Sequence, residues 1–140
     1  MNTKKFTVLL AALMLILVQL ACAAGGELSL ENPRMSKDDI GDAPVSTFVS
    51  NDTVYVVADL NNAIAETFVE AKWYLVSAEG YDAGPIETNE NNILTITEES
   101  FTGTVSFSLF STDGGWPVGE YKVELYLNGA LSQTVNFTVQ

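Results

Sequence analysis

The stretch "WPVGEYKVELYLNG", Trp116 to Gly129, decides how the chain folds. From Tyr121 onward it alternates: Tyr121, Val123, Leu125 and Leu127 take one side, and Lys122, Glu124 and Tyr126 the other. A period of two is that of a strand with one dry face. Asn128-Gly129 then closes the run, and this dipeptide suits a type I′ hairpin turn, which needs positive φ at both central positions. The return segment "LSQTVNFTV" sets Leu131, Val135, Phe137 and Val139 inward, with Gln133 the exception. Ser132, Thr134, Asn136 and Thr138 face out.

The same period recurs upstream. "TVYVVADL" puts Val54, Val56, Ala58 and Leu60 on one face and Thr53, Tyr55, Val57 and Asp59 on the other, with Asn61-Asn62 as a turn signal. "FVEAKWYLV" aligns Val69, Ala71, Trp73 and Leu75 against Phe68, Glu70, Lys72, Tyr74 and Val76. "ILTIT" (Ile93 to Thr97) is a short strand, and "TVSFSLF" aligns Val105, Phe107 and Leu109. After the leader, no segment repeats apolar residues at three- and four-residue spacing, so helices are not expected. About seven antiparallel strands, each with one apolar face, must bury those faces against one another, which makes an all-β, two-sheet sandwich.

The first residues do not belong to that sandwich. Lys4 and Lys5 precede an apolar run, Val8 to Val18, and small residues follow in "ACAAGG". This is the order of a secretory signal peptide. A permanent span needs roughly 17 to 25 apolar residues, more than this run supplies. Residues 1–22 are therefore read as the leader, 23–45 as a polar tether in which Leu28 and Leu30 alternate as a short first strand, and 46–140 as the sandwich domain. Cys22 is the single cysteine and ends the apolar run, so an internal disulfide is excluded. "QLAC" resembles the bacterial lipobox, whose cysteine receives lipid and becomes the new N-terminus. That resemblance implies a membrane anchor at Cys22 and a place in the cell envelope. Ordinary cleavage after Ala23 or Ala24, giving a freely secreted extracellular protein, is the alternative.

A tryptophan in the third strand, Trp73, and Gly-x-Tyr opening the penultimate one resemble the immunoglobulin-like and fibronectin type III-like sandwich modules of bacterial surface proteins. The resemblance covers roughly Thr47 to Val139. It implies that Trp73 is the central core tryptophan and that Tyr121 is the corner tyrosine tying its strand to the preceding loop. Phe107, Val123, Leu125 and Phe137 complete the expected core. Both core cysteines of antibody domains are missing, so packing alone must hold the sheets together. Each fully buried large side chain contributes about 1.5–3 kcal/mol.

Charge and residue usage narrow the function. The chain carries 18 acids against six Lys and Arg, a formal net charge of −12. Both leader cations are lysines, so Arg34, Lys37, Lys72 and Lys122 alone offset every acid in the exported form. Such a surface repels phosphate backbones, and nucleic acid is not an expected partner. There is no histidine. The usual general base, the Ser-His and Cys-His pairs and most zinc sites go with it. No phosphate-binding glycine loop follows a strand. No catalytic residue, cofactor or metal is expected. Asp38, Asp39 and Asp42 in "KDDIGD" are the best cation candidates, yet their spacing fits no EF-hand loop and suits an acidic linker better.

What remains is a surface. Phe68, Tyr74 and Val76 point outward from one strand and Tyr126 from its expected neighbour, so the four form a candidate contact patch. The competing reading folds the Ile86 and Ile93 region over them or pairs them across strands. Trp116, beside Pro117, reads as a lid on the core, with a recognition tip as the alternative. These expectations describe a non-catalytic, lipid-anchored binding or adaptor module for an envelope protein or glycan. A structural spacer of an envelope assembly and a freely secreted module are the alternatives.

Overall fold

The computed structural model describes residues 26–88, 92–111 and 114–140. The leader and Cys22 lie outside the described residues. Nine strands follow in order: β1 (Ser29–Ser36), β2 (Thr47–Phe48), β3 (Val54–Ala63), β4 (Phe68–Ala78), β5 (Gly84–Pro85), β6 (Ile93–Thr95), β7 (Phe101–Leu109), β8 (Gly119–Leu127) and β9 (Ala130–Val139). They make two sheets. The smaller has the order β1-β3-β7; the larger runs β2-β9-β8-β4-β5, with β6 also on β4. The chain is all-β among the described residues, and its dry faces close on one core.

Alternation builds that core. Val54, Val56, Ala58 and Leu60 of β3 meet Val69, Ala71 and Trp73 of β4, Val105, Phe107 and Leu109 of β7, Tyr121, Val123 and Leu125 of β8, and Phe137 and Val139 of β9 in one buried cluster. The β8–β9 hairpin turns at Asn128 (φ 51°) and Gly129 (φ 83°), the two positive values a type I′ turn demands. Val57 departs from the reading: it alternates outward yet is fully buried. Opposite it in register stands Arg34. The Arg34 guanidinium donates to the carbonyls of Ile40 and Gly41, holding the following loop against that side of β1.

The segment read as a tether is largely structured. β1 is eight residues long and pairs with β3, with a register shift between Glu31 and Arg34. Asn32 takes φ 49° in the bulge, and its amide donates to Asp59 Oδ2 at 3.0 Å. Because the bulge inserts residues, Leu30 and Met35 both turn inward although they are an odd number apart. Period-two reading cannot see such a strand. Beyond it, the buried Ser36 hydroxyl donates to Ala43 O at 3.0 Å, and Val45 N–H donates to Met35 O at 3.0 Å.

Three further bulges or pairings differ from simple alternation. Asn61-Asn62 is not a turn: β3 continues to Ala63, with Asn62 in the left-handed region at φ 55° and its N–H donating to Thr102 Oγ1. A bulge at Ser132 places Leu131 opposite Tyr126 and Gln133 opposite Leu125. Leu131 therefore faces out, and Gln133 turns in, where its amide donates to Leu30 O of the other sheet at 3.0 Å. Finally, β2 runs parallel to β9, so the sandwich is not wholly antiparallel.

At the start of β8 the strands approach closely. A Cβ on Gly119 would lie 2.2 Å from the Ser77 carbonyl oxygen and 2.9 Å from Ala78 Cβ, so backbone would have to shift to admit it. Gly84, at the sheet edge, has open space around it. Gly119→Ala is expected to cost about 1–3 kcal/mol by overpacking. Gly84→Ala should stay within about 0.5 kcal/mol of the parent in urea titration. Equal midpoints for the two variants would refute the close approach.

Candidate functional site

The outer face of the larger sheet carries Phe68, Tyr74 and Tyr126 of the expected patch. β4 and β8 are neighbours, with Glu70 opposite Tyr126, Lys72 opposite Glu124 and Tyr74 opposite Lys122. Phe68, Glu70, Lys72 and Tyr74 thus share one face with Tyr126, Glu124 and Lys122. Tyr74, Tyr126 and Phe68 are half-buried and Val76 is 42% exposed. Ile86 packs against the core, and Ile93, opposite Glu70, stays 47% exposed.

Lysines thread between the rings. Lys72 Nζ lies 4.5 Å from the Tyr126 ring centroid, and Lys122 Nζ lies 4.8 Å from that of Tyr74. Lys122 also donates to Glu124 Oε1 at 2.7 Å, Tyr126 Oη donates to Glu124 Oε2 at 2.7 Å, and Lys72 pairs with Glu70 at 3.7 Å. The face is therefore a lattice of alternating charge and tyrosine, held in place by cation–π and charge-assisted contacts.

Two ionisations are coupled there. The Lys122 ammonium, then the Tyr126 hydroxyl, hold the Glu124 carboxyl below its ordinary value. The same hydrogen bond to Glu124 is the main cause that pushes Tyr126 up to about 12. A raised phenol favours the neutral ring in the fold, so its stabilisation is complete below pH about 10 and is lost as pH rises through about 12. Absorbance titration should show one tyrosine ionising near 12. In Glu124→Gln that tyrosine should move toward the ordinary value of about 10. A wild-type titration in which every tyrosine ionises near 10 would remove the bond.

Val76 is the extra residue of a bulge in β4 and stands apart from the rings. It lines a groove of about 450 Å³ with Ser46, Thr47, Glu120, Asn136 and Thr138. Glu120 there accepts from Ser77 Oγ at 3.2 Å. The groove's walls are neutral apart from that one carboxylate.

The core residues lie elsewhere. Trp73, Tyr121, Val123, Leu125, Phe107 and Phe137 are all buried. Tyr121 Oη donates to Pro117 O at 2.6 Å, tying β8 to the loop before it, and burial, with Tyr81 secondary, raises its phenol. Trp116 packs edge-on against Tyr121, donates through Nε1 to Asp52 O at 3.0 Å, and exchanges main-chain and hydroxyl bonds with Ser50. It covers one end of the core.

Asp38 is spent on its own loop. Its carboxylate accepts from Gly41 N at 2.6 Å and Asp42 N at 2.9 Å. Desolvation raises its pKa, but the N–H donors of Asp42, Gly41 and Ala43, with Ser36, outweigh it and leave the carboxyl lowered. Among the described residues no three acidic side chains are grouped to hold a metal ion.

No protein-family model matches the chain, and no curated protein matches it. Among solved structures it is similar to the alkylpurine DNA glycosylase AlkC of Pseudomonas fluorescens bound to DNA containing an abasic-site analogue, at 11% identity and TM-score 0.52. That match covers 83% of this chain and 31% of the glycosylase chain. A β-glucosidase from Listeria innocua in complex with gluconolactone matches at 13% identity and TM-score 0.48, over 80% of this chain and 16% of that one. A Niemann-Pick type C2 protein from the Japanese carpenter ant matches at 9% identity and TM-score 0.47, over 83% and 93%. The chain spans under a third of the glycosylase. What it shares is the fold.

Alternation along the sequence brings the aromatics to one face but misses one participant and the seats of two others. Leu131, 56% exposed, joins Tyr126 only because of the bulge at Ser132. Lys72 and Lys122 are legible as outward residues, yet their seats over the tyrosine rings depend on the pairing register. That register, Tyr74 opposite Lys122, was not fixed by either strand alone.

Proposed function

We propose that this chain is a non-catalytic immunoglobulin-like, fibronectin type III-like module, exported and held in a bacterial cell envelope by lipid at Cys22, where the outer face of its larger sheet contacts an envelope protein. The sandwich subclass is supported by the β1-β3-β7 and β2-β9-β8-β4-β5 orders and by the Tyr121–Pro117 bond, which matches a corner tyrosine. The anchor rests on the leader pattern and on the position of Cys22.

The observation that carries the contact surface is the tyrosine–lysine lattice on an open sheet face. It also favours protein over glycan. Sugar rings stack on free aromatic faces, and here a lysine ammonium sits over each tyrosine. Alternating charge with half-buried phenols instead suits a protein surface, where tyrosine gives area at low entropic cost. Tyr74→Ser with Tyr126→Ser in the lipidated chain should abolish cross-linked capture of the envelope partner while the melting temperature changes little. Undiminished capture would eliminate this face, and a wild-type chain that captures nothing would favour the spacer reading. Mass spectrometry of the mature N-terminus should find a diacylglyceryl adduct on Cys22; an unmodified start at Ala24 or Gly25 would mean free secretion.

A further inference from the structure

We infer that the open edge of β9 is a self-association site, pairing antiparallel with β9 of a second copy across a two-fold axis at Val135. Beyond β9 the larger sheet has only the two-residue β2, which pairs with Thr138 and Val139 alone. Thr138 N–H donates to Ser46 O and Gln140 N–H to Phe48 O, so these residues turn their main-chain groups away from β8. By the strand period Thr134 and Asn136 do the same. Among the described residues, no backbone bond outside the β8–β9 ladder reaches them. An unpaired row of N–H and C=O groups is a template for another strand.

Two observations select a second copy. First, natural edges are usually guarded by charge or proline, and β9 has neither from Ala130 to Val139. In a chain with 18 acids, most surfaces repel an identical surface; this one is neutral. Second, the free window is self-complementary. β2 closes the edge from Thr138, and the bulge at Ser132 bends the strand at the other end. With Val135 on the axis, Thr134 of one copy faces Asn136 of the other, and Ser132 of one falls where β2 of the other begins. The pairing requires the bulge to bend the strand away from that β2.

Thr134 and Asn136 are exposed, so charges placed there leave the core intact. Light scattering of the full-length chain in detergent should give a dimer. Thr134→Lys with Asn136→Lys should reduce it to the monomer, because the register sets lysine against lysine. Thr134→Lys with Asn136→Glu should restore the dimer, because the same register sets lysine against glutamate. Chains carrying Thr134→Cys and Asn136→Cys, co-expressed under different tags, should form the mixed disulfide in preference to either self-disulfide, since facing residues have Cα atoms about 5.5 Å apart. A wild-type monomer, a dimer that survives the double-lysine change, or preferred self-disulfides would each overturn the proposal.

Discussion

Trp73→Ala is expected to lower stability by about 3–5 kcal/mol, read as a shift of the urea midpoint followed by far-ultraviolet circular dichroism. Trp73 is 2% exposed and lies mid-strand in β4, between β8 and the β5–β6 edge. Its indole N–H donates to Asn92 Oδ1 at 3.3 Å, and Asn92 in turn accepts Ala71 N–H through its carbonyl and donates to Thr88. The side chain therefore fills volume and also fixes the irregular edge that follows β4. Domains of this size are stable by about 5–15 kcal/mol, so the loss takes a large share and at the low end unfolds the chain. Trp73→Phe should cost less, because much of the volume remains and mainly the bond to Asn92 is lost. A midpoint unmoved by Trp73→Ala would contradict its place in the core.

The β8–β9 hairpin shows how far sequence carries the fold. Tyr121, Val123 and Leu125 alternate without interruption, and Asn128-Gly129 permits one turn, so facing and connection are both readable. The return strand loses that clarity at Ser132. A bulge adds one residue, inverts the parity on one side of it, and leaves no mark in composition; Leu131 turns outward as a result, while Gln133 keeps the inward side of Val135 and Phe137. β1 is hidden in the same way by its bulge at Asn32 and Pro33, amid residues that look like a linker. Val57 illustrates a different limit. It is buried between Arg34 of β1 and Ser106 of β7 in register, and no local pattern reports which residues stand beside it.

The candidate surface was legible to the same depth. Facing places Phe68, Tyr74 and Tyr126 outside. What those rings present depends on which residue sits opposite, because a tyrosine capped by lysine offers a partner different chemistry from a bare ring. Acidic composition likewise excludes nucleic acid from the expected partners, but it says nothing of where neutral surface remains. That required the sheet order, in which only the two-residue β2 lies outside the uncharged β9.

Phe137→Ala is expected to cost a similar amount, about 3–5 kcal/mol, toward the upper end. Its ring stacks on Tyr121 with centroids 5.2 Å apart and meets Phe48 at 5.7 Å and Trp73 at 6.1 Å edge-on. The size of such a loss depends on how well the neighbours can close the cavity. Two of them cannot move freely, since Tyr121 is tied to Pro117 and Trp73 to Asn92, while Phe48 lies in a two-residue strand paired only with β9. The hole stays open, and β2 loses the ring that packs it down. Because Phe137 and Trp73 touch, their changes should not add. The double variant should be less destabilised than the summed singles by about 0.5–1.5 kcal/mol, the aromatic contact both singles remove. Strict additivity in that cycle would show that the two rings act independently, and a Phe137→Ala loss below about 1 kcal/mol would show that the cavity collapses.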